Sequence, residues 1–221
     1  MRVQRQFFIT VPIPPHLPPS AVVATLQTVN PVIRNLGTLS RYEQTAAGAG
    51  PVANDPFFFG DGVVGSVGSS PNNAAGGDVA SYQIHELITL APGLTKEVTY
   101  PAYFQCVNDG LRVRANGAAG ITGWAGFTVR PRRPPGGVAA TVVGDSPDGS
   151  TPSTVAESDG GAEYELFESL TVEANSLLMP FVCQTMEIAH RGLCDKVLQE
   201  ALEKLAESPE WQWQPTPPYG K

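Results

Sequence analysis

The strongest constraint on the fold is one long helical pattern near the C-terminal end of the sequence. From about Leu177 to Ala206, apolar residues recur every three to four positions, as they do on one face of an α-helix. Asn175 and Ser176 stand where they can cap its first turn, and Pro180 falls in that turn, where proline is tolerated. An apolar stripe of this length needs a surface that covers it.

Strand patterns dominate the chain before this helix. Alternating residues bounded by turn residues predict seven strands. Their expected ranges are 7–14, 38–45, 81–90, 95–106, 111–115, 121–130 and 163–174. Short turns at Pro92-Gly93, Asn108-Asp109-Gly110 and Asn116-Gly117 predict that the third to sixth strands form an antiparallel meander.

Two short helices are predicted between the first and second strands. Pro18 and Pro19 open the first of them. Asn30 is expected to cap the second, with Pro31 in its first turn and Gly37 at its end. Strands followed by segregated helices in this order predict an α+β fold.

Residues 1–206 are expected to form a single domain with an irregular tail, 207–221. Two segments rich in Gly and Pro, 46–78 and 131–162, interrupt it and are predicted to be long loops. As lids they would close over a bound molecule, with the three phenylalanines 57–59 as an apolar plug. As disordered insertions they would have no specific role.

The order of elements resembles the helix-grip fold of the START-like superfamily, which includes polyketide cyclases and dehydratases, lipid-transfer domains and plant hormone receptors. More narrowly, Pro18-Pro19 with Asn30-Pro31, the segment VNDGLRVRANGAAGI and the junction NSLLMPFVCQTMEIAHRGL resemble a fungal family of START-like proteins without an assigned function. The resemblance covers nearly the whole chain apart from the two long loops and the tail. It implies a curved seven-stranded antiparallel sheet around the long C-terminal helix, with an apolar cavity between them.

Charge and hydropathy restrict the classes of partner. The 221 residues carry 14 Lys and Arg against 21 Asp and Glu, a net charge of −7, and the basic residues form no cluster larger than Arg130, Arg132 and Arg133. Nucleic acid is therefore not an expected partner, because phosphate binding needs clustered cations. No run approaches the ~20 apolar residues of a membrane span, and the N-terminus lacks the apolar core of a signal peptide. A cytoplasmic protein without an integral span is expected, and the sequence indicates no oligomeric state.

Neither a cofactor nor a metal is expected from the motifs. The segment Gly60-Asp61-Gly62-Val63-Val64-Gly65 fits G-x-G-x-x-G, but SVGSSPNNAAGG follows it, which cannot form the helix that a dinucleotide site requires. No Cys-x-x-Cys or His-Glu-x-x-His pair is present. The three cysteines indicate no disulfide, since Cys183 and Cys194 would lie about 16 Å apart on one helix.

Glu86 and Tyr100 are candidates for acid–base chemistry. If Ile88 pairs with Val98 across the turn, Glu86 lies directly opposite Tyr100 on the inward face. A carboxylate beside a phenol in an apolar cavity would have a raised pKa and could transfer protons near neutral pH. In the alternative, Glu86 lies in water at the cavity mouth or pairs with Arg41.

Glu168 and His190 are the further candidates. Glu168 shares the inward face of the seventh strand, and His190 lies one helical turn from both Met186 and Leu193. Alternatively, His190 is a boundary histidine with one ordinary hydrogen bond. His85 alternates to the other face, and a register shift of one residue would bring it inward in place of Glu86.

The remaining inward residues are expected to line a ligand cavity: Tyr82, Ile84, Phe104, Phe127, Leu170, Met186 and Leu193. Three functions fit such a fold. The first is a cofactor-free cyclase, dehydratase or isomerase acting on a hydrophobic polyketide- or terpenoid-like intermediate of fungal secondary metabolism, as the resemblance implies. The second is a carrier of a lipid or other hydrophobic small molecule, and the third is an interaction module with a filled cavity. Inward polar groups favour the first of these.

Overall fold

The computed structural model describes residues 1–59, 78–91, 93–132 and 163–207, and these form an α+β fold. The strands are β1 (Arg2–Pro12), β2 (Leu39–Thr45), β3 (Val79–Ala91), β4 (Leu94–Val107), β5 (Gly110–Asn116), β6 (Thr122–Pro131) and β7 (Tyr164–Asn175). The α-helices are α1 (Pro19–Gln27), α2 (Asn30–Arg34), α3 (Pro56–Phe59) and α4 (Met179–Glu207), and single 3₁₀ turns span Gly50–Val52 and Ala118–Gly120.

The seven strands form one curved antiparallel sheet in the order β1-β7-β6-β5-β4-β3-β2. Helix α4 packs against β1 and β7 and against α1 and α2, while α1 also packs under β4, β5 and β6. We call the face of the sheet toward α1 and α4 the inner face, and the opposite face the outer face. This is the helix-grip arrangement that the sequence predicted.

The main hydrophobic core lies between the inner face and the helices. Alternation along each strand sends every second side chain into it, as period-two patterning requires. Its fully or nearly fully buried members include Ile9, Leu111, Phe127, Leu166 and Val172 on the strands, Val22 and Leu26 on α1, and Leu193 and Val197 on α4. Burying each such side chain contributes about 1.5–3 kcal/mol.

Helix α4 begins and ends close to the predicted positions. Asn175 organises its start, since the Leu177 amide donates to Asn175 Oδ1 at 3.0 Å and the Leu178 amide donates to the Asn175 carbonyl at 2.9 Å. Pro180 is the second residue of the helix, where no backbone donor is required.

Two predicted boundaries near the N-terminus were wrong. Strand β1 starts at Arg2, five residues earlier than expected, because it pairs with β7 along its whole length despite its polar sequence. Asn30 is the first residue of α2 rather than its cap, and Val29 precedes it with φ of 65°. The Asn30 side chain instead accepts a hydrogen bond from Tyr42 Oη at 3.2 Å.

A second, smaller core covers part of the outer face. The chain between β2 and residue 59, expected to be loop, forms the 3₁₀ turn Gly50–Val52 and helix α3. Val52 and Phe58 pack there against Val79 and Tyr103, which alternate outward from the sheet. Phe58 is therefore no plug for a cavity on the inner face.

Asp55 fastens this segment to the sheet. Its Oδ2 accepts from Arg114 Nη1 at 2.6 Å and from Trp124 Nε1 at 3.0 Å, and its Oδ1 accepts from the Phe57 amide at 2.9 Å. Arg112 Nη1 donates to the Phe57 carbonyl at 2.9 Å. Outward arginines on β5 thus hold the segment in place.

Several predictions lie outside the described residues. These are the greater part of both long loops (60–77 and 133–162), the glycine-rich motif at 60–65 and nearly all of the tail (208–221). Of the helices that the structure describes, none is both long enough and apolar enough to cross a membrane.

Candidate functional site

Glu168 and His190 form a hydrogen-bonded pair between the sheet and α4. Strand β7 places Glu168 on the inner face between Leu166 and Leu170, and its side chain is completely buried. His190 lies on the side of α4 that faces the sheet, with its Nδ1 atom 2.5 Å from Glu168 Oε1. The structure thus brings together two residues that the sequence placed separately on inward faces.

This contact links the tautomer of His190 to the charge of Glu168. An ionised carboxylate can only accept, so with Glu168 ionised Nδ1 donates to it and Nε2 of the neutral imidazole presents a lone pair. The His190 side chain is 19% exposed, and Nε2 makes no hydrogen bond to any residue that the structure describes. A neutral imidazole held in this way can accept a proton, and its conjugate acid can return it.

Cys194 contacts the second oxygen of the same carboxylate. Its Sγ lies 3.5 Å from Glu168 Oε2, one helical turn after His190. Burial raises the pKa of the Cys194 thiol, and the negative charge of Glu168 and the hydrogen bond to it act in the same direction. The thiol therefore stays protonated and donates to the carboxylate.

Glu86 and Tyr100 also interact, although not in the predicted register. Glu86 pairs with Val98 and Tyr100 with Ile84, a displacement of two residues from the expected pairing. The Tyr100 phenol still lies diagonally across the two strands from Glu86. Burial raises the pKa of the Tyr100 phenol, and the neighbouring Glu86 carboxylate raises it further.

Glu86 has a further partner that suggests a structural contribution. Thr38 Oγ1 donates to Glu86 Oε1 at 2.9 Å, and the Thr38 carbonyl accepts from the Leu87 amide at 2.8 Å. Glu86 is half-buried and fastens the residue before β2 to β3. The alternative pairing with Arg41 does not occur, since Arg41 approaches Glu97 instead, at 3.6 Å.

The two carboxylates belong to separate clusters. Glu168 shares a cross-strand row with Phe127, Leu111 and Cys106. Tyr100 lies six residues from Cys106 on β4, roughly 20 Å along the strand. Glu168 therefore does not assist the Glu86–Tyr100 pair by direct contact.

The predicted lining residues all lie on the inner face or on the sheet-facing side of α4. Five are buried in the main core, namely Ile84, Phe104, Phe127, Leu170 and Leu193, whereas Tyr82 and Met186 are only half-buried. Tyr82 makes an edge-to-face contact with Phe104, with ring centroids 5.4 Å apart.

The inner face is incompletely covered opposite the first half of α4. Between Val182 and Leu193, α4 has no buried side chain. On the sheet, Val113 and Ala115 are half-buried, and a Cβ atom added to inward-facing Gly123 would meet nothing within 4 Å. These observations indicate open space over the inner face at this end of β5 and β6.

His85 lies on the outer face, as the alternation predicted. Its Nδ1 atom is 3.0 Å from Thr99 Oγ1 and 3.3 Å from Glu97 Oε1, and its buried Nε2 has no hydrogen-bond partner among the described residues. The inward register of Glu86 is therefore the correct one.

Sequence analysis missed Cys194 and Gly123. The helical spacing that identified His190 also places Cys194 on the same face, four residues later, so this signal was available. Gly123 follows a turn and carried no signal beyond its even spacing from Ala125. In the part of the chain that the structure describes, no group of three or more His, Cys, Asp and Glu side chains could hold a metal ion.

Comparisons with known proteins add a family and a fold. The family model described as "Domain of unknown function (DUF7053)" matches residues 2–203. No curated protein sequence matches the chain significantly.

Two solved structures resemble the fold at low identity. One is TTHA0849 from Thermus thermophilus, with 12% identity, TM-score 0.46, and coverage of 93% of this chain and 100% of that one. The other is the di-domain ARO/CYC StfQ from the steffimycin biosynthetic pathway, with 9% identity and TM-score 0.50. The match covers 92% of this chain but only 52% of StfQ, so this chain spans about half of that protein.

Proposed function

This chain belongs to the family described as a domain of unknown function (DUF7053), and we propose that its residues 1–206 form a single domain that binds a hydrophobic small molecule and catalyses proton transfer on it without a cofactor. The reaction class is cyclisation, dehydration or isomerisation of a polyketide- or terpenoid-like intermediate of secondary metabolism. The observation that carries the proposal is the completely buried Glu168 carboxylate bonded to His190 Nδ1 at 2.5 Å. The helix-grip fold shared with an ARO/CYC protein supports the substrate class.

In this proposal His190 is the base and Glu168 orients it. Nε2 removes a proton from a carbon next to a substrate carbonyl, and the buried carboxylate stabilises the imidazolium that forms. In a cyclisation the carbanion attacks a second carbonyl carbon of the substrate and the imidazolium returns the proton to the alkoxide that forms. In a dehydration it protonates the leaving hydroxyl group, and in an isomerisation it protonates a neighbouring carbon, so that neutral His190 is restored in each case. One positioned acid–base group of this kind contributes typically 10²–10⁴-fold to the rate.

The space above Gly123 is the proposed position of the ligand's apolar body. It is bordered by the half-buried Val113 and Ala115 on β5, and the half-buried Met186 of α4 packs against the same core. Sites for small molecules are mostly apolar with a few placed polar groups, and this combination fits that description.

Binding can be tested before the substrate is known. Nile red is a neutral apolar dye whose fluorescence reports entry into a dry site. Gly123→Leu should fill the proposed space and weaken Nile red binding about tenfold or more, from a loss of about 1.4 kcal/mol or more. Gly126→Leu is the matched control, because Gly126 lies on the outer face of the same strand and also has no neighbour within 4 Å of an added Cβ. Equal binding by all three proteins would place the dye elsewhere and contradict the proposal.

Catalysis is tested with a poly-β-keto thioester analogue and product analysis. Glu168→Gln and His190→Gln should each lower turnover by about 10²–10⁴-fold and leave Nile red binding intact. Glu86→Gln examines the Glu86–Tyr100 pair as the alternative acid–base centre. A loss confined to the Glu86 variant would transfer the chemistry to that pair, and full activity in all three variants would refute both assignments.

The half-buried apolar residues opposite α4 favour a second candidate, a carrier of a hydrophobic molecule. A carrier would bind Nile red in the same way and convert nothing. Native mass spectrometry of the protein purified from its own host distinguishes the two. A lipid that co-purifies unchanged, together with equal binding by wild type and His190→Gln, would support the carrier.

A further inference from the structure

Both oxygens of the Glu168 carboxylate are occupied from one face of α4. His190 approaches Oε1 at 2.5 Å and Cys194 approaches Oε2 at 3.5 Å. The strand neighbours of Glu168 are Ile9 on one side and Phe127 on the other, both buried and apolar. Among the residues that the structure describes, the imidazole and the thiol are therefore its polar partners.

We propose that Cys194 is a positioning residue of the proton-transfer site. Its thiol holds the Glu168 carboxylate so that Oε1 faces His190, and it sets the pH at which His190 Nε2 becomes free to accept a proton. This inference rests on the proposed function of the same pair.

The spacing on α4 supports this role. His190 and Cys194 are four residues apart, so their side chains lie one above the other on the same face of the helix. Rotation of the carboxylate of Glu168 about its last side-chain bond would break both contacts at once. Without the thiol, Oε2 would be buried among apolar groups with no donor, which is costly for an ionised carboxylate.

Loss of the thiol should change the titration of His190 in a definite direction. The deprotonated pair carries a net negative charge, and protonation of the imidazole neutralises it. If Oε2 loses its donor, the buried negative charge is less well stabilised, so proton uptake becomes more favourable. The pKa of His190 should therefore rise, and less neutral imidazole would be present at a given pH.

Other charged groups near the pair lie along the exposed side of α4. They are Glu187, Arg191 and Asp195. Arg191 Nη1 donates to the Thr10 carbonyl on β1 at 3.4 Å, and its Nη2 lies 3.9 Å from Glu187. Of the other elements that pack on α4, α1 has no titratable side chain, and Arg34 of α2 pairs with Glu200. The inner-face positions of the strands that pack on α4 add Arg5 on β1 and Tyr164 on β7, both exposed. The substitutions below leave all these groups in place.

The test is a titration of His190 by NMR, with ¹⁵N-labelled imidazole rings assigned by single His→Gln variants. Cys194→Ala should raise the midpoint by about one pH unit, since it removes a hydrogen bond to a charged group. Cys194→Ser keeps a donor and should return the midpoint close to that of the wild type. Cys183→Ala is the matched control, because Cys183 is half-buried on the same helix and lies outside the contacts of the Glu168 carboxylate.

An unchanged midpoint in Cys194→Ala, or equal shifts in the Ala and Ser variants, would overturn the inference. If Cys194→Ala does not fold, the infrared S–H band of Cys194 in the wild type tests the contact between the thiol and Glu168 instead. That band should move when Glu168 is replaced by Ala, and a band that stays in place would overturn the inference too. The titration needs no ligand, so failure of ligand binding would count against the proposed function alone.

Discussion

His190 Nδ1 lies 2.5 Å from Glu168 Oε1, and this contact joins residues 22 positions apart on α4 and β7. It occurs in a stretch of α4, between Val182 and Leu193, that has no buried side chain. The helix is therefore anchored there by a polar contact to the sheet, while apolar packing anchors it further along. The proposed site of proton transfer therefore also forms a structural contact between α4 and the sheet.

Loss of the contact between His190 and Glu168 should reduce the protection of nearby α4 amides from hydrogen exchange. His190→Ala should increase amide hydrogen exchange in residues 183–192 by about 10–100-fold, since a buried hydrogen bond to a charged group contributes about 1.5–3 kcal/mol. Exchange in residues 194–205 should stay close to that of the wild type. Ile188→Ala is the control, because Ile188 is 76% exposed on the same turn of helix. Uniform loss of protection along α4 would contradict the local role.

Truncation of the buried apolar residues of α4 should have a much larger effect on the global stability of the protein. Leu193 is buried against the sheet, so Leu193→Ala should lower the free energy of unfolding by about 2–5 kcal/mol. Ile188→Ala should change it by less than about 0.5 kcal/mol. Urea denaturation of the two variants measures both values, and similar losses would show that the helix faces are assigned wrongly.

The sequence predicted the layers of this fold better than their details. Period-two alternation and short turns placed β3 to β7 and their inner faces, because burial on one face leaves a clear pattern. The observed β3–β4 pairing is displaced by two residues from the predicted one. The strands pair as far as Ala91 and Leu94, so the turn between them is tighter than expected. Gly93 in this turn has a φ of 75°.

Other features left too little pattern to be found. The first residues of β1 are polar because this strand lies at a sheet edge, so they resembled loop. The segment between β2 and residue 59, which packs on the outer face, contains only a 3₁₀ turn and a four-residue helix. Both are too short to show helical spacing. The contact between Glu168 and His190 depends on how α4 packs on the sheet, which neither local pattern specifies.

The polar contacts of Asp55 between residues 50–59 and the sheet should contribute measurably to the stability of the protein. Asp55→Ala removes the acceptor of Arg114, Trp124 and the Phe57 amide, and should destabilise the protein by about 2 kcal/mol. Arg2→Gln breaks the exposed ion pair with Glu173 and should cost less than about 1 kcal/mol. Thermal denaturation of both variants tests the difference. An equal and small effect would mean that residues 50–59 do not depend on Asp55.

Gly110, at the start of β5, has no room for a side chain. A Cβ atom added to Gly110 would overlap the backbone carbonyl of Phe127 on the neighbouring strand, so Gly110→Ala should destabilise the fold by about 3 kcal/mol or more. Gly123→Ala adds the same atom to open space on the inner face and should change stability by less than about 1 kcal/mol. Chemical denaturation provides the comparison, and tolerance of alanine at Gly110 would contradict the β5–β6 pairing at that position.

The raised pKa of Tyr100 predicts how the free energy of unfolding decreases at alkaline pH. Burial, followed by the charge of Glu86, raises the pKa of Tyr100 above its ordinary value of 10.0. Above pH 10.0 the unfolded chain loses this proton while the folded protein keeps it, so stability from this group is fully present below pH 10.0 and decreases as the pH rises further. The decrease approaches about 1.4 kcal/mol per pH unit for one proton.

Tyr100→Phe removes this dependence and also removes the polar interaction of the hydroxyl with the Glu86 carboxylate, which costs about 1 kcal/mol at neutral pH. The variant should therefore be less stable than the wild type at about pH 8, and the gap should narrow between about pH 10 and 11. Urea denaturation across that range measures it. The thiols of Cys106 and Cys194, whose pKa values burial also raises, are present in both proteins and cancel in the difference. Parallel stability curves would show that the Tyr100 phenol titrates alike in the folded and unfolded states.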